Sequence, residues 1–353
     1  MPILWRLSKI SLGFIALIML AFLLFLAYMS FNDYKPQSRE SVENIGHNSE
    51  LGIEDSLLTF LTWNIGYGGL GKESDFFFDG GKGVRQSPEI TEKNEKGIYH
   101  FLKANDSIDF ILLQEVDMES KRSYYNNQVS AIGALFPQKQ SLFAKNYDCS
   151  FVPQPIENPY GKCLAGIQTL TKFSNTNNSR IALSPDAAWP MGLFMLDRCL
   201  LESRFPLPNG KELYVYNMHL SAYDDGTVKQ EQMSKLKELV LEAYHKGNYV
   251  VVGGDWNQYP PEYLPPSMKQ KNAIAQINVE KHFPEKGWNW GVDLQTPTNR
   301  KLESPFSESE TDQIVIDFFL TSPNLHIEWV KGIDMQFEYS DHQPVLMQVK
   351  IAN

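Results

Sequence analysis

Apolar runs of two different lengths divide the chain. The first, residues 10–31, is apolar except for Ser11, Gly13, Tyr28 and Ser30 and carries no charge. About 20 such residues span a bilayer as a helix. Residues 32–56 are polar and acidic without periodicity, which reads as a flexible stalk. Beyond them the apolar runs shorten to strand length and are rich in β-branched and aromatic residues. Strands are expected at 57–64, 109–114, 141–152, 164–172, 194–203, 212–217, 249–252, 314–320, 327–331 and 345–351. Three stretches carry helical spacing instead: 87–104, which opens Ser87-Pro88-Glu89 with proline at the first turn; 119–135; and 227–245, with Met233, Leu236, Leu239, Val240 and Ala243 on one stripe. Strands that follow one another directly, mixed with strands separated by helices, predict a mixed α/β domain. No repeat and no second boundary interrupts residues 57–353, so three segments are expected: an N-terminal helix over 1–31, a linker over 32–56 and one domain over 57–353.

Charge refines the first segment. Arg6 and Lys9 precede the apolar run, which favours a cytoplasmic N-terminus, a single pass and an extracytoplasmic domain. A cleaved signal peptide is the competing reading; the length of the apolar core and the lack of a clear small-residue cleavage site favour a retained anchor. The 353 residues carry a formal net charge of -10, which disfavours general affinity for nucleic-acid backbones. Three cysteines, Cys149, Cys163 and Cys199, show no zinc-ligand spacing. Export would permit a Cys149–Cys163 disulfide; three buried thiols are an equal alternative.

The expected strands end in chemistry. Asn64 closes the first, Glu115 the next, and His219 follows the strand over 212–217. Asp317 lies among apolar residues, and Ser340-Asp341-His342 precedes the last strand. The run Tyr249 to Asn257 passes from a buried-strand pattern through Gly253-Gly254 to Asp255 and Asn257. Those two project to one side of an extended chain, with Trp256 on the other. Each of these residues alone is ordinary as a turn, a cap or a satisfied core polar group. Together they suit phosphoester hydrolysis. Asn64, Glu115 and Asp341 are hard oxygen ligands for Mg²⁺ or Mn²⁺. His342 can take a proton from water with Asp317 fixing its tautomer. His219 and Asn257 can donate to phosphate oxygens, and Asp255 can orient the attacking water.

Thr62-Trp63-Asn64, Leu113-Gln114-Glu115-Val116, Asn217-Met218-His219-Leu220, Gly254-Asp255-Trp256-Asn257, Ile316-Asp317-Phe318-Phe319 and Ser340-Asp341-His342 occur in this order. Each block is short, but the six in series resemble the signature blocks of the endonuclease/exonuclease/phosphatase superfamily over residues 57–351. The resemblance implies a four-layer α/β/β/α sandwich of two mixed β-sheets. It implies a metal at Asn64, Glu115 and Asp341, a base at His342 paired with Asp317, and phosphate and water handling by His219, Asp255 and Asn257. Trp256 departs from the family's usual Phe and is expected to point away from the chemistry.

Substrate is less legible. Arg122, Lys172 and Arg198 are candidate phosphate contacts, each with a surface role as the alternative. The loop 66–83 holds seven glycines and Phe76-Phe77-Phe78. It is expected to fold back on the domain or to contact lipid or a base. The segment 287–300, with Trp288, Trp290 and Arg300, is either a substrate rim or an ordered surface loop. The resulting expectation is a membrane-anchored, divalent-metal-dependent phosphodiesterase acting on a lipid headgroup or small phosphodiester, with no protein partner implied. An exported nuclease of the same chemistry and a non-catalytic binding ectodomain are the alternatives.

Overall fold

A computed structural model describes residues 2–222, 226–267 and 276–351. Two sheets form the body. One has seven strands, in the order β1-β6-β7-β8-β9-β13-β10, and the other six, in the order β14-β15-β2-β3-β5-β4. The strands of the seven-stranded sheet are β1 (Arg39–Ser41), β6 (Asn177–Ala182), β7 (Cys199–Pro206), β8 (Glu212–His219), β9 (Tyr249–Asp255), β10 (Asn289–Gly291) and β13 (Asp317–Thr321). Those of the other are β2 (Leu57–Asn64), β3 (Phe110–Asp117), β4 (Gln140–Val152), β5 (Gly161–Thr171), β14 (Leu325–Gly332) and β15 (Val345–Ile351). A short pair, β11 (Asn299–Arg300) and β12 (Gln313–Ile314), lies apart. β2–β3 and β8–β9 run parallel and the other pairs antiparallel, so both sheets are mixed.

The period-two pattern assigns the layers. Phe60, Leu112, Leu213, Val215, Val251, Phe319 and Met347 meet between the sheets in one buried cluster. Their alternates face outward. Leu61, Trp63, Ile111 and Leu113 pack under α2 (Pro88–Ala104) and α3 (Gln128–Leu135). Tyr214, Tyr216, Val250 and Val252 pack under the Leu236, Leu239, Val240 and Ala243 stripe of α4 (Thr227–His245). The result is the expected four-layer sandwich. Helix α2 starts where Ser87-Pro88 predicts, with the Ser87 hydroxyl accepting from the Ile90 N–H.

Several segments differ from the sequence reading: the strand expected over 314–320 is split between β12 and β13 in separate sheets, and β6 was not expected. The helix expected over 119–135 is a 3₁₀ turn at Lys121–Ser123 followed by α3, because Tyr124 and Tyr125 take left-handed backbone angles (φ 58° and 63°) and Asn127 caps a new start. The strand expected from 194 starts at Cys199, after a 3₁₀ turn over Met191–Phe194. The stalk over 32–56 is laid along the domain: β1 pairs with β6, Ile45 N–H donates to the Ser141 carbonyl, and Ile53 is buried.

Helix α1 (Pro2–Phe31) includes a segment, Leu7–Phe31, long and apolar enough to cross a membrane. Its last turns touch the domain. Leu26 and Met29 share a buried cluster with Tyr147, Val152, Tyr160 and Leu193, Phe25 stacks on Phe194, and Trp189 Nε1 donates to Ser30 Oγ. Cys149 and Cys163 face each other across β4 and β5 as free buried thiols, and Cys199 is a third.

Candidate active site

The carboxy ends of β2, β3, β8 and β9 lie at one edge of the sandwich, and the loop before β15 folds over them. Local backbone geometry aims each side chain. In β3 the register with β5 slips between Leu113 and Val116, and Glu115 sits at φ 53°. This bulge turns Glu115 out of the strand's alternation and into the cleft. At the end of β9, Gly254 takes φ +151°, and a Cβ there would lie 2.0 Å from the Met218 carbonyl oxygen. Only glycine lets β8 and β9 close up beneath His219 and Asp255, which are register partners. Asn257, also left-handed (φ 47°), donates through its side chain to the Leu220 carbonyl, while its N–H donates to Asp255 Oδ1 at 2.9 Å. Trp256 points the other way into the core, stacked on Phe318 at 4.8 Å.

The centre is a buried network. Asp317 Oδ2 lies 2.8 Å from His342 Nδ1. The other ring nitrogen, Nε2, faces Asn299 Nδ2 at 3.0 Å, Asp255 Oδ2 at 3.7 Å and Asp341 Oδ2 at 3.9 Å. His219 Nε2 stands 3.4 Å from Asp255 Oδ2, and its Nδ1 is buried with no protein partner. The Ser340 hydroxyl donates to the Asn64 carbonyl and accepts from the His342 N–H, while Trp63 Nε1 donates to the His342 carbonyl. The Asp341-His342 turn is thereby tied to the end of β2.

Burial works against charge on His342, but the Asp317, Asp255 and Asp341 carboxylates outweigh it and hold its pKa well above the ordinary imidazole value. Burial raises Asp317 to about 6 and, with Glu115 adding repulsion, Asp341 to about 7. His219 goes the other way: burial, then the charges of Arg198 and His342, push it well below its usual value. Glu115, Asp255 and Asp341 line one cleft with His219, Asn257 and His342. So many carboxylates in a desolvated space are a donor set for a hard cation. Among the described residues, Asp255, Asp317 and His342 also bring ligand atoms within 4.8 Å of one another. There a cation would compete with the Asp317–His342 hydrogen bond.

Asn64 lies among the carboxylates with both ends of its side-chain amide bonded. Its carbonyl oxygen accepts from the Gly66 N–H at 3.0 Å, and its amide donates to Glu115 and Asp255, each at 3.1 Å. In this arrangement it ties two carboxylates together and keeps one lone pair of its side-chain oxygen unclaimed by the Gly66 N–H.

The three basic candidates separate. Arg198 lines the cleft; its Nε lies 3.2 Å from Asp186 Oδ2, and its Nη1 is buried without a partner. Arg122 does not reach the cleft. It is buried in an ion pair with Asp117 (2.8 Å), and its guanidinium lies over the Tyr67 ring at 3.8 Å, so it braces a cleft wall from behind. Lys172 pairs with Asp109 at the far end of the six-stranded sheet, where Phe110 is opposite Thr171. It is not near Glu115. Trp288 is buried in the core and forms no rim. Arg300 grips the glycine-rich loop through the carbonyls of Gly71 (2.7 Å) and Ser74 (3.0 Å).

Residues not singled out from sequence complete the site. Asn299 meets the outer nitrogen of His342, and Lys301, whose pKa burial lowers, lines the cleft. Both adjoin Arg300 in the segment suspected as a rim; only the pairing of Asn299 with His342 across a β-bridge reveals the role.

Comparison with known proteins agrees with this geometry. No curated protein matches the chain in sequence. A crystal structure of an endonuclease/exonuclease/phosphatase protein from Beutenbergia cavernae superposes with a TM-score of 0.58 at 17% identity, covering 84% of this chain and 72% of that one. ANGEL2, described as a 2',3'-cyclic phosphatase in complex with adenosine-2',3'-vanadate, gives 0.55 at 16% identity, covering 91% of this chain and 100% of its own. The human Nocturnin catalytic domain, with bound sulfate, gives 0.52 at 15% identity over 88% and 98%. At these identities the likeness is one of fold. The model of the Endonuclease/Exonuclease/phosphatase family matches residues 61–342, and the chain belongs to that family, whose members hydrolyse phosphoester bonds.

Proposed function

We propose that the protein is a membrane-anchored, Mg²⁺- or Mn²⁺-dependent phosphodiesterase in which water, activated by His342, attacks phosphorus in line with the departing ester oxygen. The observation that carries this reading is the Asp317–His342 pair, 2.8 Å apart and buried, at the edge of a carboxylate-lined cleft where Asn299 Nδ2 lies 3.0 Å from the outer nitrogen that a water would approach. Asp317 holds the proton on Nδ1, which leaves Nε2 to accept one from water. The new bond joins water oxygen to phosphorus, the ester P–O bond breaks on the opposite side, and the released alcohol oxygen takes up a proton. Asp255 orients the water, held in turn by Asn64 and the Asn257 N–H. His219, with its pKa pushed down by burial, and the Arg198 guanidinium are hydrogen-bond donors suited to phosphoryl oxygens gaining charge. Glu115, Asp341 and Asn64 would hold the divalent ion. When bound, the ion compensates the charge of the phosphate and of the leaving oxygen and partly offsets the carboxylates' pull on His342.

The anchor is α1, with Arg6 and Lys9 on the cytoplasmic side and the domain outside. A nuclease reading of the same site draws support from a zebrafish TDP2 of similar fold that was solved with a single-strand DNA product. The net charge of -10 weighs against it. Degradation of plasmid DNA that Glu115→Ala abolishes would move it ahead.

The test uses the full chain in detergent micelles with bis-p-nitrophenyl phosphate. Turnover is expected with Mg²⁺ or Mn²⁺ and not with chelator, and His342→Ala should cost at least about 100-fold in rate. A chain that binds no divalent ion and hydrolyses neither this ester nor natural phosphoesters is a binding ectodomain.

A further inference from the structure

The end of the anchor helix and the wall of the catalytic cleft share one side chain. Phe194 lines the cleft and also stacks on Phe25 of α1, with ring centroids 6.0 Å apart and planes 10° from parallel. Phe76 and Leu196, two more cleft residues, pack against the same cluster that takes Leu26 and Met29. The carboxylate end of the cleft thus continues into an apolar wall of Leu70, Phe76, Phe78, Phe194, Leu196 and Leu302.

The helix leaves too little length beyond the hydrocarbon to hold the domain away from a bilayer. Leu7–Phe31 comprises 25 residues, about 37 Å of helix, against about 30 Å of hydrocarbon. The surplus of roughly five residues falls in the headgroup layer, and the last turns, from Phe25 onward, are the part the domain grips. The following segment limits the slack to residues 32–37, because the Ser38 carbonyl and β1 are bonded to β6.

Around the helix exit, large apolar side chains point outward without protein cover. Phe151, edge-on to Phe25 at 6.3 Å, is partly exposed; Trp189, bonded to Ser30, is 66% exposed; Met191, on the turn that ends at Phe194, is 53% exposed; Ile156, in the loop between β4 and β5, is 89% exposed. Phe78 adds a partly exposed ring at the cleft mouth. Such a patch, continuous with an apolar helix, matches a lipid surface.

We propose that this apolar apron docks into the bilayer surface, so that the cleft opens onto the membrane and takes a membrane-embedded phosphoester. The lipid's phosphate reaches His342 and the carboxylates while its apolar chain lies along the Phe76–Phe194 wall. This rests on the phosphodiesterase reading above. It adds that water attacks phosphorus of a lipid and that the cleaved P–O bond separates a headgroup or phosphate from a product left in the bilayer.

The full chain is reconstituted into vesicles of phosphatidylcholine, phosphatidylglycerol and sphingomyelin with Mn²⁺. Turnover of soluble bis-p-nitrophenyl phosphate and release of water-soluble phosphoester from the vesicle lipids are then measured together. Adding charge through Ile156→Glu with Met191→Glu should leave the soluble rate within about twofold and lower the lipid rate at least about tenfold. An unchanged lipid rate in the double variant overturns the proposal. So does a parent protein that cleaves the soluble ester or a single-stranded oligonucleotide but no vesicle lipid. Docking has its own readout: a fluorophore on Ile156→Cys should be quenched by lipids brominated near the headgroup, and absence of quenching sinks the docked geometry whatever the activity. Failure on the soluble ester alone, with quenching intact, removes the phosphodiesterase reading and leaves docking standing.

Discussion

At the scale of single residues, the site depends on how one buried carboxylate disposes of a proton. Asp317 is raised to about 6 by burial, while its Oδ2 accepts the His342 Nδ1 proton at 2.8 Å. Asp317→Asn keeps the size but lets the amide donate to Nδ1, which turns the ring to the wrong tautomer. The rate should fall on the order of 10²–10⁴-fold with KM little changed. Steady-state kinetics on the soluble diester checks this; a loss confined to KM would place Asp317 in binding instead. The polar residues of the six blocks were legible as a set because each lies at or next to the end of a run of strand-forming residues. The individual roles of basic residues were not. Arg122 and Lys172 carry the same charge as Arg198, but Asp117 and Asp109 claim them, and these partners are visible only once β3 and β5 are in register. Asn64 was legible as a polar residue closing β2. Which of its amide atoms faces the carboxylates depends on the Gly66 N–H, which follows from the turn after β2.

At the scale of elements, strands with one apolar face could be read closely, and α4 was found at Thr227–His245 as its stripe requires. The edge strand β1 could not. Its sequence is Arg39-Glu40-Ser41, and it is held by backbone pairing with β6 and by an Arg39–Glu202 ion pair, none of which leaves an apolar period. The glycine pair at the end of β9 was legible as a close approach, and the structure identifies the neighbour as the Met218 carbonyl. Gly254→Ala combines that clash with a φ of +151°, a region closed to side chains. The expected cost is about 3 kcal/mol or more, read as a lower urea midpoint. Because β8 would be pushed from β9, activity of the remaining folded protein should also drop. An unchanged midpoint would mean that the strand end relaxes freely.

At the scale of the whole molecule, the active site needs two sheets held in one alignment. Glu115 comes from the six-stranded sheet, whereas His219 and Asp255 come from the seven-stranded one. Beneath them Asn217 of β8 bridges the sheets: it accepts from Gln114 Nε2 at 2.8 Å and donates to the carbonyls of Leu113 and Gln168 at 3.2 and 3.0 Å. The apolar layer between the sheets supplies cohesion without direction, and a buried polar clamp supplies register. Asn217→Ala strands these groups in a dry interior and should lower stability by about 2–3 kcal/mol. Its rate, measured well below the unfolding midpoint, should fall further than the unfolded fraction explains, since the carboxylate of one sheet then drifts from the imidazole of the other. A variant with the lowered midpoint but a parental rate would show that the loop carrying Asp341 and His342 aligns the site by itself. Helix α1 belongs to the same scale, because the domain grips its last turns through Leu26 and Met29. A retained helix predicts that the expressed chain stays in the membrane pellet through alkaline carbonate washing, with an intact mass that includes residues 1–31. External protease should reach the domain in cells whose cytoplasmic proteins stay protected. A soluble chain starting after residue 31 would show that the helix is a cleaved signal. Phe194 and Trp189 would then lose the partners that α1 provides, and the apolar apron would have to meet the membrane without a tether.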